Sequence, residues 1–316
     1  MQVAIHADTN IGKVREVNED SYCVLEKTLS AYICDGMGGH VAGATASRLA
    51  IDTIIRVNAL LNLTNGNKIE SEQNKDLTQY LSLLNQNLES SLPELAINMI
   101  NAIQIANHRL YRETLSNPYL QGMGTTVIGM AFTTNLCCIA HVGDSRAYRI
   151  RNQQMEQQTV DHSWLNELLQ AGKIQPDEVQ QFPHRNIITR ALGVDKNVRT
   201  DIRIDPVQLN DIYLICSDGL HDVVPENDIL ATVLSFSDAL DYGVKKLIEQ
   251  ANANGGKDNI TVALAKVIAE DDEKTDYNYQ ETIPEESSDQ SEFEEKILSV
   301  LLRTDVKMPE GQENNS

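Results

Sequence analysis

Four aspartates border apolar, strand-like runs of this sequence. Three of them follow such a run and the fourth precedes one: Asp35, Asp144, Asp218 and Asp258. If these strands share sheets, their ends bring the four carboxylates together, which predicts one acidic site built from distant segments. Clustered carboxylates repel each other strongly unless cations bind between them. Because Mg²⁺ and Mn²⁺ prefer oxygen ligands, a site for such cations is the chemistry that these residues indicate.

The elements that must position these aspartates are short strands and two long helices. Strand-like patterns dominate residues 3–8, 22–34, 125–150 and 202–216, with a hairpin turn at 133–135. Apolar residues recur at helical spacing over residues 43–61 and 93–115. Strands in adjacent pairs, with the helices elsewhere, predict antiparallel sheets covered by helices rather than an alternating doubly wound sheet.

Composition excludes several classes of partner. The net charge of the 316 residues is −20, and residues 269–316 carry 15 acidic and 4 basic residues of that balance. Such an acidic chain repels nucleic acid and anionic membranes, so neither is expected as a partner. The sequence holds no apolar run of 18 residues and no signal-like start, so we expect a cytoplasmic protein. The five cysteines form no C-x-x-C pair and are expected to be buried, reduced thiols.

Six motifs occur along the chain in an order that resembles one known family. They are T-N-I-G-K-V-R-E-V-N-E-D-S (9–21), D-G-M-G-G-H (35–40), G-M-G-T-T (122–126), H-V-G-D-S-R-A-Y (141–148), C-S-D-G-L (216–220) and G-G-K-D-N-I-T-V (255–262). Their order and approximate spacing resemble the metal-dependent protein phosphatases of type 2C, in their bacterial form. The resemblance spans residues 3 to about 268.

The resemblance implies a fold of the α+β class. The expected architecture is a four-layer α-β-β-α sandwich, in which helices flank two antiparallel sheets and the metal site lies at one end of the sheets. The catalytic domain would span residues 1–268 and include a flap at 161–195. Composition adds a polar surface insertion at 62–92 and an acidic tail at 269–316, which is predicted to be disordered because it offers little apolar surface to bury.

The resemblance also implies the metal ligands. One Mn²⁺ or Mg²⁺ ion would lie between Asp20, Asp35 and the carbonyl oxygen of Gly36. A second would bind Asp35, Asp218 and Asp258, so that Asp35 bridges the two ions. Two ions that share a water lower its pKa from about 15.7 toward neutrality. In the family, the resulting hydroxide attacks the phosphomonoester directly, without a phosphoenzyme.

Other positions carry further expectations from the family. A third ion is an open alternative, held by Asp144 and Asp218, and Asp20 and Asp144 could each act through water. Arg15 matches the family's phosphate-binding arginine, and its planar guanidinium suits a bidentate clamp on phosphate oxygens. The resulting hypothesis is a serine/threonine protein phosphatase that acts on phosphoserine and phosphothreonine proteins. These proteins would be substrates of a serine/threonine kinase, and the enzyme is expected to be a monomer.

Three residues depart from the family pattern. Met37 replaces a histidine that is a proposed acid for the leaving group in eukaryotic relatives, which leaves a metal-bound water or His40 for that role. Asn10 stands where aspartate is common, and Phe182 replaces a histidine. Two other readings stay open: an inactive phosphoprotein-binding module, and a hydrolase of small phosphoesters. The apolar stripe at 297–302 also leaves open that the tail docks on the catalytic body.

Several histidines near the motifs have more than one reading. His141 and His221 flank two of the aspartate motifs, and hydrogen bonding is expected of them rather than metal ligation. His162 and Trp164 lie in the predicted flap. They could contact the substrate protein or hold the flap to the body, and the sequence favours neither role.

Overall fold

Two antiparallel sheets form the centre of the protein in the computed structural model, which describes residues 2–39, 41–66, 92–175, 187–269 and 279–283. The five-stranded sheet runs in the order β1 (Gln2–Asn10), β11 (Ile260–Ala269), β10 (Ile212–Cys216), β7 (Arg146–Arg151) and β8 (Gln154–Gln157). The seven-stranded sheet runs in the order β12 (Tyr279–Ile283), β9 (Thr200–Pro206), β6 (Leu136–Val142), β5 (Val127–Phe132), β3 (Ser30–Met37) and β2 (Asp20–Leu25), with β4 (Gly124–Thr125) beside β3.

Helices cover the outer face of each sheet. The helices are α1 (Val41–Gly66), α2 (Glu94–Ser116), α3 (Trp164–Gln170), α4 (Asp218–His221), α5 (Glu226–Ser235) and α6 (Leu240–Ala253). Helices α1 and α2 pack on each other and on the seven-stranded sheet. Helices α4, α5 and α6 cover the five-stranded sheet, where α6 contacts β1 and β11. The predicted four-layer α-β-β-α sandwich is therefore confirmed.

The core between the two sheets is built by strand alternation. Inward-facing side chains of β3, β5, β6, β10 and β11 meet there, among them Ile33, Met130, Ile139, Ile215 and Ala265. Side chains one position along each strand face the helices instead, because successive residues point to opposite faces of a sheet. Both faces of these strands are thus buried, which explains their continuous apolar sequence.

Two strand pairings position the site. Strand β2 pairs with β3 so that Asp20 lies opposite Asp35. Strand β1 pairs with β11 over its whole length, and Asn10 lies opposite Ile260 at the end of that pairing. Because of this second register, the loop that follows β1 leaves the sheet directly beside Asp258. Both pairings therefore end at the same part of the molecule.

The bounds of helix α1 differ from the sequence prediction, whereas the predicted turn and the buried cysteines are confirmed. Helix α1 begins two residues before the predicted start at 43 and continues to Gly66, inside the segment 62–92 that we expected to be a surface insertion. The turn at 133–135 joins β5 and β6 as predicted. All five cysteines are buried and free, which confirms the expected reduced thiols. Among the described helices, none is both long and apolar enough to cross a membrane.

The expectation of a disordered tail does not hold for five of its residues. Tyr279–Ile283 forms strand β12, which pairs antiparallel with the outer edge of β9. An edge strand offers unpaired backbone N–H and C=O groups, and a neighbouring segment with β-forming residues can satisfy them. The rest of 270–316, including the stripe at 297–302, lies outside the described residues, as do 67–91 of the predicted insertion and 176–186 of the predicted flap.

Candidate metal centre

Asp20 and Asp35 face each other at the end of the β2–β3 pair. The Oδ2 atom of Asp20 accepts hydrogen bonds from Ser217 Oγ at 2.8 Å and Thr261 Oγ1 at 2.6 Å. The backbone of Asp35 is fixed by Thr126, whose Oγ1 accepts the Asp35 N–H at 3.0 Å. The carboxylate of Asp20 and the backbone of Asp35 are therefore held in place by groups from distant segments, and the remaining oxygen of Asp20 stays available.

The other three predicted aspartates come from loops and one short helix. Asp144 follows β6, Asp218 is the first residue of α4, and Asp258 precedes β11 by two residues. The charges of all three act on Asp35, together with that of Asp20. The structure thus brings the five predicted aspartates within electrostatic reach of one another. Their roles as ligands stay predictions.

Burial and mutual repulsion raise the pKa of four of these carboxyls. Burial is the largest cause at each of them. The pKa of Asp20 and that of Asp144 rise from 3.8 to about 6. The pKa values of Asp35 and Asp218 rise well above the usual 3.8, because each also lies near several other aspartates. A bound divalent cation would remove this strain, since it favours the ionised carboxylate.

The donor set fits a hard divalent cation. Asp20 Oδ1 and Asp218 Oδ1 are buried and have no hydrogen-bond partner within the part of the chain that the structure describes. An unpaired buried carboxylate oxygen is costly, and metal coordination is one of the few ways to satisfy it. Because all these donors are oxygens, the site suits Mn²⁺ or Mg²⁺ better than a cation that prefers nitrogen or sulfur.

Gly36 is required by a close approach of two backbone segments. Its N–H donates to the carbonyl oxygen of Glu19 at 3.1 Å. A Cβ atom at position 36 would overlap the carbonyl of Gly43 at the start of α1 and would lie 2.7 Å from the Glu19 oxygen. Glycine thus lets β3, β2 and α1 meet beside Asp35. The predicted role of its carbonyl as a ligand remains untested.

Arg15 lies on the loop between β1 and β2, next to Asp258. Its Nη2 donates to Asp258 Oδ2 at 2.7 Å, and its Nη1 is 3.8 Å from Glu19 Oε2. The hydrogen bond to Asp258 is the main cause of the raised pKa of Arg15. The arginine side chain is 43% exposed, so part of the guanidinium faces solvent beside the acidic cluster.

Asn259 fixes this loop and was missed by the sequence reasoning. Its Nδ2 donates to the carbonyl oxygens of Ile11 at 3.0 Å and Val17 at 3.1 Å. Its Oδ1 accepts the N–H of Glu19 at 2.8 Å. One buried side chain thereby closes both ends of the loop that carries Arg15. Asn259 belongs to the G-G-K-D-N-I-T-V motif and could have been found there, but the sequence analysis assigned a role only to Asp258 of that motif.

Three hydroxyl residues were also missed as supports of the site. Ser217 and Thr261 hold Asp20, and Thr126 holds the backbone of Asp35. All three lie inside the recognised motifs. A short hydroxyl beside a carboxylate ligand can orient it, and the sequence analysis assigned no such role to these residues.

The residues that depart from the family pattern have simple surroundings. Met37 is half-buried on β3 opposite Gly124. Asn10 accepts the N–H of Gly12 at 2.9 Å and shapes the start of the Arg15 loop. His141 and His221 make the hydrogen bonds expected of them, to the carbonyl oxygens of Val160 at 3.0 Å and Asp144 at 3.2 Å. His40 and Phe182 lie outside the described residues.

Comparison with known proteins agrees with this geometry. A family model described as Protein phosphatase 2C matches residues 13–264. The serine/threonine phosphatase stp of Listeria innocua serovar 6a is 35% identical over 267 residues, which cover 83% of this chain and 96% of that protein.

Solved structures give the same result. The serine/threonine phosphatase Stp1 from Staphylococcus aureus matches with a TM-score of 0.67 and 33% identity, over 85% of this chain and 96% of that one. The catalytic domain of the serine/threonine protein phosphatase PstP, solved in complex with two manganese ions, matches with a TM-score of 0.65 and 28% identity, over 84% and 99% of the two chains. The chain therefore belongs to the protein phosphatase 2C family, in its bacterial branch.

Proposed function

We propose that this protein is a Mn²⁺- or Mg²⁺-dependent phosphatase that hydrolyses phosphoserine and phosphothreonine in proteins. The observation that carries the proposal is the convergence of five aspartates, two of them with unsatisfied buried oxygens, beside the exposed guanidinium of Arg15. Membership of the protein phosphatase 2C family and the manganese ions of PstP support it.

We propose the following ligands for each ion. Asp20, Asp35 and the carbonyl oxygen of Gly36 would hold one ion, and Asp35, Asp218 and Asp258 would hold the second. Asp144 and Asp218 form the site for a third. When bound, these ions supply Lewis acidity, which lowers the pKa of water and stabilises negative charge on phosphate oxygens.

Arg15 is proposed to bind and orient the phosphate group of the substrate. Its tether to Asp258 keeps the guanidinium beside the acidic cluster, at the side where its charge offsets the repulsion that a phosphate dianion would meet. A guanidinium can donate two parallel hydrogen bonds to phosphate, which fixes the direction of the ester bond relative to the ions. The chain thus aligns phosphorus for direct attack by water, without a phosphoenzyme.

The proton for the leaving alkoxide is proposed to come from water. Met37 occupies the position of the expected histidine acid, and a thioether has no proton to transfer. Met37 instead fills space: its Cε atom is 2.7 Å from where a Cβ of Gly124 would lie. Water at the site can protonate the seryl or threonyl oxygen as the ester bond breaks.

The substrates that follow from this function are phosphoproteins. We further propose that a serine/threonine kinase opposes the enzyme, that the protein acts as a monomer in the cytoplasm, and that neither nucleic acid nor membrane is a partner. The net charge of −20 supports the last point, because polyanions are repelled by such a surface. The catalytic domain at 1–268, the flap at 161–195 and the acidic tail remain part of the proposal.

The direct test is hydrolysis of phosphoserine and phosphothreonine peptides by the full chain in Mn²⁺ and in EDTA. We expect activity only with the metal. Asp218→Asn should lower kcat on the order of 100-fold or more, because it removes a charged ligand from the second and third ions. Asp238→Asn is the matched control, since Asp238 is exposed and pairs with Lys266.

Four results would contradict the proposal. Activity that survives EDTA, or that survives Asp218→Asn, would exclude the metal mechanism. If folded, metal-loaded protein hydrolyses neither peptide nor p-nitrophenyl phosphate, the family fold serves binding instead. Faster turnover of small metabolite phosphates than of phosphopeptides would identify a hydrolase of small phosphoesters.

A further inference from the structure

His162 binds the turn that carries Asp144 through two hydrogen bonds. Its ring Nδ1 accepts the N–H of Gly143 at 3.1 Å, and its own backbone N–H donates to the Gly143 carbonyl at 2.9 Å. Gly143 directly precedes Asp144. One residue from the start of the predicted flap thus satisfies both backbone polar groups of the residue that aims Asp144.

The turn itself requires glycine at position 143. Gly143 has a φ of +113°, and a Cβ there would lie 2.6 Å from Thr126 Cγ2. The hydroxyl of Thr126 is 2.9 Å from Ser145 Oγ and also accepts the N–H of Asp35. The turn therefore rests on the residue that fixes the backbone of Asp35, and His162 closes it from the opposite side.

The ring of His162 is in turn fixed by the seven-stranded sheet and by the far end of the flap. The other ring nitrogen, Nε2, lies 3.3 Å from Asp201 Oδ2 on β9. Arg190 Nη1 donates to the other oxygen of Asp201 at 2.9 Å. The ring also stacks on His141, with centroids 4.6 Å apart.

His141, His162 and Asp201 have the side chains of a metal site, but a guanidinium supplies the cation here. Their nearest ligand atoms lie within 4.8 Å of one another. Arg190 Nη1 is 3.1 Å from His162 Nε2 and donates a hydrogen bond to Asp201 Oδ1. The guanidinium is therefore the cationic group beside these two side chains. In addition, His141 Nε2 is already used by the Val160 carbonyl. The cluster is therefore complete as an ion-paired support.

The two ends of the flap meet at this cluster. The N–H of Thr189 donates to the His162 carbonyl at 2.8 Å, and the N–H of Trp164 donates to the Ile187 carbonyl at 2.9 Å. Through His162, these contacts continue into the Gly143 turn. Any displacement of the flap base would thus be transmitted to the backbone that precedes Asp144.

We propose that His162 is a positioning residue that couples the base of the flap to Asp144 and so sets the affinity of the metal site to which Asp144 contributes. The inference rests on the proposed role of Asp144 as a metal ligand. His162 acts through the Gly143 turn and touches neither metal nor substrate in this role. Supports of this kind typically change metal affinity by about 10- to 100-fold when they are removed.

The test is calorimetric titration of the metal-stripped full chain with MnCl₂. His162→Ala should weaken the Asp144-dependent part of the isotherm roughly 10- to 100-fold. His162→Asn should restore most of that affinity, because its side-chain oxygen can accept the Gly143 N–H. In an Asp144→Ala background, His162→Ala should have no further effect. His6→Asn, an exposed histidine on β1, is the control for the substitution itself.

The outcomes separate this inference from the proposed function. The inference would be overturned by a wild-type isotherm for His162→Ala or by equal losses in both Asp144 backgrounds. It would also be overturned if His162→Asn failed to restore binding, or if the Asp144→Ala isotherm matched wild type. If Asp218→Ala removes Mn²⁺ binding in the same series, the metal function stands although the inference has failed. Near-UV circular dichroism of each variant excludes loss of fold as the cause.

Discussion

At the scale of single residues, Asp258 and Asn259 connect phosphate binding to the metal centre. Asp258 holds Arg15 through one carboxylate oxygen, and its other oxygen accepts the N–H of Asn259 at 2.8 Å. The Asn259 side chain then binds the backbone of Ile11, Val17 and Glu19. Two adjacent residues thus orient the proposed phosphate clamp and a proposed metal ligand together.

Replacing Asn259 by alanine tests this connection. The change leaves one buried N–H and two carbonyl oxygens without their partner, so the free energy of unfolding should fall by about 2–4 kcal/mol. The looser loop should also raise KM for a phosphopeptide, because Arg15 is no longer fixed. Urea unfolding and steady-state kinetics at saturating Mn²⁺ measure the two effects.

The matched control for this variant is Asn254→Ala. Asn254 is exposed, and its side chain donates one hydrogen bond, to the Val223 carbonyl at 2.8 Å. We expect its unfolding free energy to stay within about 0.5 kcal/mol of wild type, with KM unchanged. Equal stability and equal KM in the two variants would show that Asn259 does not hold the loop.

At the scale of elements, the contact of β3 with α1 depends on two glycines that face each other. Gly36 and Gly43 approach so closely that a Cβ on Gly43 would lie 2.9 Å from the Gly36 carbonyl. Helix α1 can therefore begin directly over the end of β3. The contact also leaves the Gly36 carbonyl beside Asp35, where the proposed first ion needs it.

Gly36→Ala should push these two elements apart. Its methyl group meets backbone atoms that cannot rotate away, so we expect a loss of roughly 2–3 kcal/mol in unfolding free energy and a weaker response to Mn²⁺. Gly243→Ala in α6 is the control, because its added Cβ would lie 3.2 Å from the side-chain atoms Leu264 Cδ1 and Phe236 Cβ, with no backbone atom as near, and alanine favours a helix. Thermal unfolding of both variants with and without Mn²⁺ measures these effects. If Gly36→Ala matched wild type in stability and in its stabilisation by Mn²⁺, the proposed role of Gly36 would be contradicted.

At the scale of the whole molecule, the acidic centre joins both sheets and therefore couples metal binding to folding. Asp20 and Asp35 belong to the seven-stranded sheet, whereas Asp218 and Asp258 adjoin β10 and β11 of the other. Without cations, their repulsion works against the packing of the two sheets. With cations bound, the same residues hold the sheets together at this end.

This coupling predicts how the stability of metal-free protein depends on pH. The pKa values of Asp20 and Asp144 rise from 3.8 in the unfolded chain to about 6 in the fold, and those of Asp35 and Asp218 rise well above 3.8. Between pH 3.8 and about 6 the folded state thus holds more protons than the unfolded state. Stability is greatest below this range and is lost as the pH rises through it.

One histidine opposes this trend without reversing it. Burial and the stacked ring of His162 lower the pKa of His141 from 6.5 to about 4, which by itself makes the fold more stable as the pH rises. His141 is a single group, whereas the raised pKa values of four carboxyls make the fold less stable as the pH rises. In EDTA, the unfolding free energy measured in urea should therefore decrease from pH 4.5 to pH 6.5, and saturating Mn²⁺ should remove the decrease. An increase in EDTA would show that the carboxyls do not repel as described.

Much of the fold was predictable because local signals agreed with it. The buried positions of α2 recur at helical spacing, and the hairpin turn at 133–135 carries its own turn residues. The sequence prediction was less accurate for the tail. Composition predicted disorder from residue 269, yet β12 pairs with β9, because the free edge of that strand offers hydrogen bonds that no composition count includes.

The sequence by itself determined which residues we propose to supply the chemistry. Motif order and residue type were sufficient to select the five aspartates, Gly36 and Arg15, since each lies within a short recognisable segment. Only the tertiary structure decided what supports them. Asp20 is held by residues 197 and 241 positions away, and the support of Asp144 by His162 depends on how the flap returns to the sheet. Such contacts, and the pKa shifts that burial produces, exist only once distant segments have packed together.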